Sequence, residues 1–284
     1  MLFRSPFVTT YHGAYAGRSA LKLRYSSVMA RGDLVIANSD YTAGLIARLY
    51  PWARAKLRVI YRGTDFAKFS AGAVEASRVA RLRKAWEVAP DERIVLVAAR
   101  LTAWKGQKVL IEAARLLKAR GVEDVRYIIA GDAQGRGGYV RELDAEIDKG
   151  GLKGVVSRVG HCTDMPAAFL AAAVVAVPST EPEAFGRAAV EAQAMGAPVV
   201  VSDLGAVPET VLSPPQSSPE GRTGWRVPPG DATALADALH AALTLGASAR
   251  EAMARRARVH VESRFSLDRM TRETLEAYLA LLGE

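Results

Sequence analysis

The fold is decided by residues 174–203, VVAVPSTEPEAFGRAAVEAQAMGAPVVVSD. An apolar, β-branched run at residues 174–177 leads through a loop into a helical pattern over residues 186–195, and a second such run follows at residues 198–201. A strand, a helix and a strand in this order are typical of a βαβ unit, in which the two strands lie parallel. The stretch therefore predicts a parallel α/β sheet.

The same alternation continues on both sides of this unit. Further strands are predicted at residues 7–10, 34–37, 57–60, 94–98, 125–130, 155–159 and 224–227. Further helices are predicted at residues 108–119, 138–149, 165–172, 232–245 and 268–282. Strands that alternate with helices over this length indicate a doubly wound, mostly parallel sheet with helices on its faces.

The rhythm of strands and helices breaks near residues 63–72, where we expect a domain boundary. Residues 67–267 hold enough alternating units for one complete doubly wound domain. Residues 1–66 hold only three predicted strands and two helices, which is half of such a domain. Residues 268–284 contain a final amphipathic helix.

Length and composition exclude several classes of protein. The 284 residues are 50% hydrophobic, which excludes a disordered chain, and the single cysteine, Cys162, excludes a disulfide framework. The longest apolar run, residues 167–178, is shorter than the roughly 20 residues that a membrane span needs. No apolar run of signal-peptide length opens the sequence, so a cytoplasmic protein is expected.

The net charge of +8 is unevenly distributed. Residues 1–66 hold ten Lys and Arg against three Asp, so this segment carries a charge of +7. Such asymmetry indicates an anionic partner, namely nucleic acid, a phosphate-bearing substrate or a membrane surface. A basic face that merely interacts with solvent would give the same composition.

Two cations follow the predicted strand at residues 94–98. Arg100 comes directly after that strand, and Lys105 precedes Gly106 and the next predicted helix. Ligands of open α/β sheets bind at the carboxyl ends of the strands, where a forked guanidinium and a mobile ammonium would suit a diphosphate. Two solvated surface cations would show the same spacing.

Two carboxylates flank the expected start of the helix at Gly186. Glu183 precedes this start and Glu191 lies in the second turn, seven residues separating the two. Gly186 lets the backbone approach a ligand, and the first helical N–H groups would face an anion. Glu191 is suited to hold the two hydroxyls of a ribose, because an unpaired charge in so apolar a helix would be costly. The alternatives are a favourable charge at a helix N-terminus for Glu183 and a solvated position for Glu191.

The segments ARLTAWKG and PSTEPEAFGRAAVEAQAMGAPVV together resemble a retaining GT-B glycosyltransferase of family 4 (glycosyl transferases group 1). This group transfers sugars from nucleotide donors without a metal. The resemblance extends through RGDLVIANSDYTAGLI, the RGTD turn, TGWRVPPGD and the final helix, so it covers essentially the whole chain. It implies an α/β fold of GT-B type, with a complete C-terminal Rossmann-like domain (residues 67–267) and a partial N-terminal Rossmann-like domain (residues 1–66). The final helix (residues 268–284) would pack back toward the N-terminal part.

The resemblance also implies roles for individual residues. Catalytic roles fall to Glu183, beside the transferred sugar, and to His12, which would reach the donor from the N-terminal part; the alternative for His12 is a structural histidine at a strand end. The other implied roles are donor diphosphate binding by Arg100, Lys105, Gly186 and Arg187, ribose binding by Glu191, donor sugar binding by Ala184 and Phe185, and proximity to the nucleobase for Val159, Gly160 and His161.

The substrates and partners follow from the same resemblance. The implied reaction moves a hexose from a UDP or GDP sugar to a saccharide or lipid-linked acceptor with anomeric retention, in bacterial cell-surface glycan or lipopolysaccharide synthesis. The nucleotide sugar is a substrate, and neither a cofactor nor a metal is expected. Residues 1–66 would contact an anionic membrane surface, on the inner face of the cytoplasmic membrane, rather than nucleic acid.

Two departures from the family pattern are visible. Arg62, in RGTD, stands where the family more often has Asn, and we expect it to be only a variation at the hinge. The chain also opens close to the histidine strand, so most of the acceptor-binding half is expected to be absent. Such a chain would still bind the donor but would transfer the sugar poorly.

Several other functions are weighed against this one. A Rossmann dehydrogenase is excluded because Val140 stands at the third glycine position of its fingerprint, and no P-loop sequence is present. A nucleotide-sugar epimerase on the same fold would share the phosphate and ribose contacts. A non-catalytic module that binds anionic surfaces would instead use only the basic residues 1–66.

Overall fold

The computed structural model describes residues 5–14 and 19–283. Residues 1–4, 15–18 and 284 belong to the predicted units 1–66 and 268–284 and lie outside the described residues, as do Arg4 and Arg18 of the basic segment. The described chain forms two parallel sheets, one of three strands and one of six. Within this part of the chain no helix is both long and apolar enough to cross a membrane.

The three strands of the smaller sheet lie between Val8 and Val59. Its strands are β1 (Val8–Tyr11), β2 (Leu34–Ala37) and β3 (Leu57–Val59), and they pair in that order. Helices α1 (Ala20–Ser26) and α2 (Asp40–Leu49) lie between the strands in sequence. One small core fills this unit, with the rings of Tyr11 and Tyr50 and the side chains of Val35 and Ile46 buried in it.

The larger sheet forms the second unit. Its strands are β4 (Arg93–Ala98), β5 (Val125–Ala130), β6 (Val156–Gly160), β7 (Ala172–Val177), β8 (Val199–Ser202) and β9 (Trp225–Val227). The helices are α3 (Ala76–Ala85), α4 (Gln107–Ala119), α5 (Gly137–Lys149), α6 (Met165–Ala171), α7 (Arg187–Ala194), α8 (Val207–Thr210) and α9 (Ala232–Leu243). The strand order β6-β5-β4-β7-β8-β9 confirms the predicted doubly wound sheet and reverses between β4 and β7. Ligands of such sheets bind at the point of reversal.

The larger sheet has a core on each face. Along β4, Ile94 and Leu96 belong to one buried cluster, whereas Val95 and Val97 belong to the other. A strand that is covered on both faces has no polar side, so it reads as a continuous apolar run. This is why the strands of this sheet are so readily visible in the sequence.

Two long helices end the chain. Helix α10 (Ala247–Phe265) packs on α7, and α11 (Leu267–Leu282) returns to the smaller sheet, where Ala277 is buried with Ile36 and Ile60. Helix α10 was not predicted. Its buried residues recur at every fourth position in an arginine-rich sequence and form too narrow a stripe to stand out; they are Met253, Ala257, Val261 and Phe265.

The second unit caps a helix of the first. The backbone N–H groups of Asp40 and Tyr41 donate to the carboxylate of Glu209 at 2.8 and 2.7 Å. The first N–H groups of a helix have no partner within it, and they favour a negative charge. Glu209 of α8 therefore supplies both hydrogen bonds and charge to the N-terminus of α2, and it holds the two units together.

The connection between the units is held by an aromatic cluster around Phe265. The ring of Phe265 makes edge-to-face contacts with Tyr61 on one side and with Phe185 on the other, with 5.2 Å between the ring centres in each pair. The backbone N–H of Thr64 donates to the Phe265 carbonyl at 2.8 Å. One buried ring thus packs against both the connection and the loop that precedes α7.

We expect Phe265→Ala to lower the free energy of unfolding by about 3–5 kcal/mol, because it deletes a fully buried ring. The matched control is Leu275→Ala, whose side chain is 57% exposed and whose cost should stay within about 0.5 kcal/mol. Urea unfolding followed by circular dichroism measures both. Equal losses in the two variants would contradict the role given to Phe265.

Candidate active site

A cleft of about 550 Å³ lies between the two units, at the carboxyl ends of their strands. The smaller sheet contributes one side chain after each strand: His12 directly follows β1, Asn38 directly follows β2, and Arg62 lies three residues beyond β3. The opposite wall consists of the segments after β4, β5, β6 and β7 together with α6 and the start of α7. Both sheets therefore face the same space.

The segments after β4 and β7 touch through their backbones. Gly106 has a φ of +72°, and a Cβ added there would lie 1.8 Å from the carbonyl oxygen of Pro178. The N–H of Thr180 also donates to the carbonyl of Trp104 at 2.7 Å. Only glycine permits both this backbone conformation and this approach. The contact brings Lys105 next to Glu183.

Lys105 and Glu183 form an ion pair in the wall of the cleft. The Nζ of Lys105 lies 2.5 Å from Oε1 of Glu183, and the hydroxyl of Ser179 donates to the same oxygen at 2.6 Å. The side chains are only 17% and 10% exposed, so the hydrogen bonds are needed to offset the desolvation of the charges. Lys105 also lies 4.2 Å from the centre of the Trp104 ring, which favours its positive charge.

Helix α7 presents the second carboxylate. Gly186 caps the helix with a φ of +86°, and Arg187 donates two hydrogen bonds to Oε1 of Glu191, the shorter at 2.9 Å. Burial raises the pKa of Glu191, while the positive charges of Arg187, Lys68 and Arg62 oppose this rise. Since Arg187 uses only Oε1, the second oxygen remains available to accept hydrogen bonds from a bound hydroxyl group.

Arg100 borders the cleft with an exposed side chain on a fixed backbone. Its carbonyl accepts a hydrogen bond of 2.9 Å from the amide of Gln107, which is fully buried. The hydroxyl of Tyr139 donates to the same amide group at 3.0 Å. The guanidinium is thus free to bind an anion, whereas the backbone of Arg100 is fixed by its hydrogen bond to Gln107.

The structure brings most of the predicted site residues to this one cleft. Val159 and Gly160 do not border it, because Val159 packs on the core and Gly160 ends β6. Phe185 borders the cleft, but its ring is buried against Phe265. The predicted residues that border it are His12, Arg100, Lys105, His161, Glu183, Ala184, Phe185, Gly186, Arg187 and Glu191.

Three residues of the cleft were missed or misread in the sequence. Ser179 lies four residues before Glu183, and its hydrogen bond to that carboxylate shows its role. Asn38 follows its strand as directly as His12 does, a signal that could have identified it. Its amide oxygen is buried without a hydrogen-bond partner among the described residues. Arg62, expected to be a hinge variation, borders the cleft.

Known proteins resemble this chain in sequence and in fold. The chain is 32% identical over 267 residues to the D-inositol 3-phosphate glycosyltransferase of Mycobacterium tuberculosis (strain ATCC 25618 / H37Rv), an alignment that covers 90% of this chain and 50% of the relative. The chain therefore spans about half the length of the curated relatives it matches.

Two solved structures resemble the whole described chain. The glycosyltransferase from Rickettsia africae ESF-5 superposes with a TM-score of 0.86 at 29% identity, covering 97% of this chain and 70% of that one. Anabaena Alr3699/HepE, solved in complex with UDP and glucose, superposes with a TM-score of 0.87 at 29% identity, covering 98% and 72%. These likenesses and the two parallel sheets confirm the predicted α/β fold of GT-B type.

Two family profiles match consecutive parts of the chain. Residues 1–68 match the profile described as glycosyltransferase family 4, and residues 79–260 match the profile described as glycosyl transferases group 1. The second match spans more than half of the sequence and contains Arg100, Lys105, Glu183 and Glu191. The chain belongs to the glycosyl transferases group 1 family.

Proposed function

We propose that this chain takes part in the transfer of a hexose from a UDP or GDP sugar to a saccharide or lipid-linked acceptor. The observation that carries the proposal is the convergence of Arg100, Lys105, Glu183 and Glu191 on one cleft at the point where the strand order reverses. Cations at that position suit a diphosphate, and the carboxylate of Glu191, on α7 across the same cleft, suits a ribose. An epimerase would need the same contacts, but the family match favours transfer.

The donor fits the size and chemistry of the cleft. A cavity of about 550 Å³ lies within the range of small-molecule sites, roughly 300–1,000 Å³. Alr3699/HepE has been solved with UDP, with UDP-glucose, and with UDP and glucose. We infer that the nucleotide of this chain occupies the same cleft, with its ribose at Glu191 and its diphosphate at Arg100 and Lys105.

The proposed reaction breaks the bond between the anomeric carbon and the donor phosphate oxygen. The nucleoside diphosphate leaves with the electron pair, while the acceptor hydroxyl oxygen forms the new bond and releases its proton. Arg100 and Lys105 would stabilise the charge that develops on the leaving phosphate, so that no metal is required for this work. The family resemblance supports anomeric retention. The NMR signal of the anomeric proton reports the configuration of the product and tests this.

The acceptor is the least constrained substrate. The Mycobacterium relative is named for transfer to an inositol phosphate, and the chain covers only half of it. His12 and Asn38 of the smaller unit border the cleft, and we propose that the acceptor approaches from their side. We propose a saccharide or lipid-linked acceptor of bacterial cell-surface glycan synthesis, such as lipopolysaccharide core.

We expect Glu191→Ala and Lys105→Ala each to weaken the binding of UDP or GDP by about tenfold to hundredfold, because each removes a charged partner of the nucleotide. Isothermal titration calorimetry of the full chain measures the affinities. Lys108→Ala is the matched control, since Lys108 lies three residues away and pairs with Glu142 at 2.7 Å outside the cleft. Unchanged affinity in both site variants would overturn the proposed function.

Glu183→Gln should reduce turnover more than binding, because this carboxylate is proposed to contact the sugar rather than the nucleotide. We expect the release of UDP from UDP-glucose to slow by about 100-fold, with the affinity for UDP changed by less than about threefold. A rate assay and calorimetry on the same preparation give the two numbers. Equal loss of rate and affinity would argue against a role on the sugar side.

We also propose that the smaller unit touches an anionic membrane surface at the inner face of the cytoplasmic membrane. Leu21 and Tyr25, one turn apart on α1, are 80% and 83% exposed. Lys22 and Arg24 are exposed on the same helix. Apolar side chains beside cations favour the interface of a membrane that contains anionic lipids.

The double variant Leu21→Ser/Tyr25→Ser should bind vesicles that contain phosphatidylglycerol at least about tenfold more weakly, because it removes two apolar side chains from the interface. Cosedimentation measures the binding, and vesicles of phosphatidylcholine alone show the contribution of charge. Leu275→Ser/Tyr278→Ser, an exposed pair on α11, is the control. If the wild-type chain binds neither kind of vesicle, the membrane proposal is wrong.

A further inference from the structure

Arg62 is a cation of the cleft that the proposed function does not yet use. It lies in the connection between the two units, three residues after β3, and its half-buried side chain borders the same cavity as Arg187 and Glu191. Among the described residues it has neither a hydrogen bond nor a carboxylate within 4.0 Å. Its guanidinium is therefore available to hydrogen-bond an anionic ligand in the cleft.

The neighbours of Arg62 fix its backbone. The ring of Tyr61 packs on Phe265, and its hydroxyl donates to Asp40 at 2.5 Å. On the other side, a Cβ at Gly63 would lie 2.7 Å from Cα of Leu267, so this segment is pressed against the start of α11. The side chain of Arg62 is therefore presented to the cleft from a rigid base.

The charges around Arg62 define what it can bind. Glu191 is already bonded to Arg187 at 2.9 Å, so two guanidinium groups face one carboxylate. Burial and the charge of Arg187 both lower the pKa of Arg62, whereas Glu191 raises it. A positive charge in this position is stabilised by an additional anion, and a phosphate accepts two hydrogen bonds from a guanidinium.

We propose that Arg62 is a nucleotide-binding residue that contacts the phosphate adjacent to the ribose. The inference rests on the proposed function, in which Glu191 holds the ribose. Arg187 begins α7 and Glu191 follows one turn later. Arg62 borders the same cavity as both and senses the charges of both, so its guanidinium lies beside the proposed ribose site. Arg100 and Lys105, on the loop after β4, would take the phosphate attached to the sugar.

Titration with UDP, UMP and uridine tests this assignment. For Arg62→Gln we expect the affinities for UDP and UMP to fall about tenfold, since both carry the phosphate next to the ribose, and the affinity for uridine to stay unchanged. Arg62→Lys keeps the charge and should recover part of the loss. Lys105→Ala should weaken the binding of UDP far more than the binding of UMP. The series GDP, GMP and guanosine replaces these ligands if the wild-type chain prefers guanine.

The matched control is Arg58→Gln. Arg58 lies on β3, four residues before Arg62, and pairs with Glu276 at 3.5 Å outside the cleft. Thermal unfolding of every variant shows that the fold is kept. If Arg62→Gln binds UDP and UMP like the wild type while Lys105→Ala and Glu191→Ala lose UDP, the assignment of Arg62 is wrong and the proposed function stands. If all three variants bind UDP like the wild type, the proposed function fails too.

Discussion

The site depends on the backbone contact between the segments after β4 and β7. Gly106 approaches the carbonyl of Pro178 so closely that any side chain would collide with it, and its φ of +72° excludes most other residues as well. Lys105 directly precedes Gly106, and Glu183 lies five residues beyond Pro178. Closing these two loops on one another places an ammonium and a carboxylate 2.5 Å apart at the point where the strand order reverses.

Most of the cations that border the cleft do not come from residues 1–66, the basic segment whose composition indicated an anionic partner. Of the basic residues at positions 5–14 and 19–66, only Arg62 borders the cleft. The other cations of the cleft, Arg100, Lys105 and Arg187, belong to the second unit. Lys105 and Arg187 are paired with Glu183 and Glu191, whereas Arg62 and Arg100 have no carboxylate partner among the described residues. The other Lys and Arg residues in the described part of that segment therefore do not line the anion site of the cleft.

The strands could be predicted because each is an apolar, β-branched run, as at Ile94–Val97, and both faces of the larger sheet are covered. The proximity of Glu183 and Glu191 to one cleft could be predicted, because Glu183 lies in the loop that leads directly into the helix of Glu191. Helix α10 was missed because its buried stripe is narrow. Asn38 and Arg62 were not assigned to the site because they reach it from another sheet, and no local pattern records a contact between distant segments.

The smaller sheet owes its position to residues of the second unit. Three short parallel strands bury little apolar surface by themselves, so packing against other elements must stabilise them. Helix α11 covers Ile36 and Ile60, and Glu209 caps α2. Phe265 fixes the connection just beside Arg62 and packs against Phe185 next to Gly186. Because the same ring packs against Tyr61, next to Arg62, and against Phe185, next to Gly186, the separation between Arg62 and α7 is set by buried packing. This favours a pre-formed anion site over one assembled by the nucleotide.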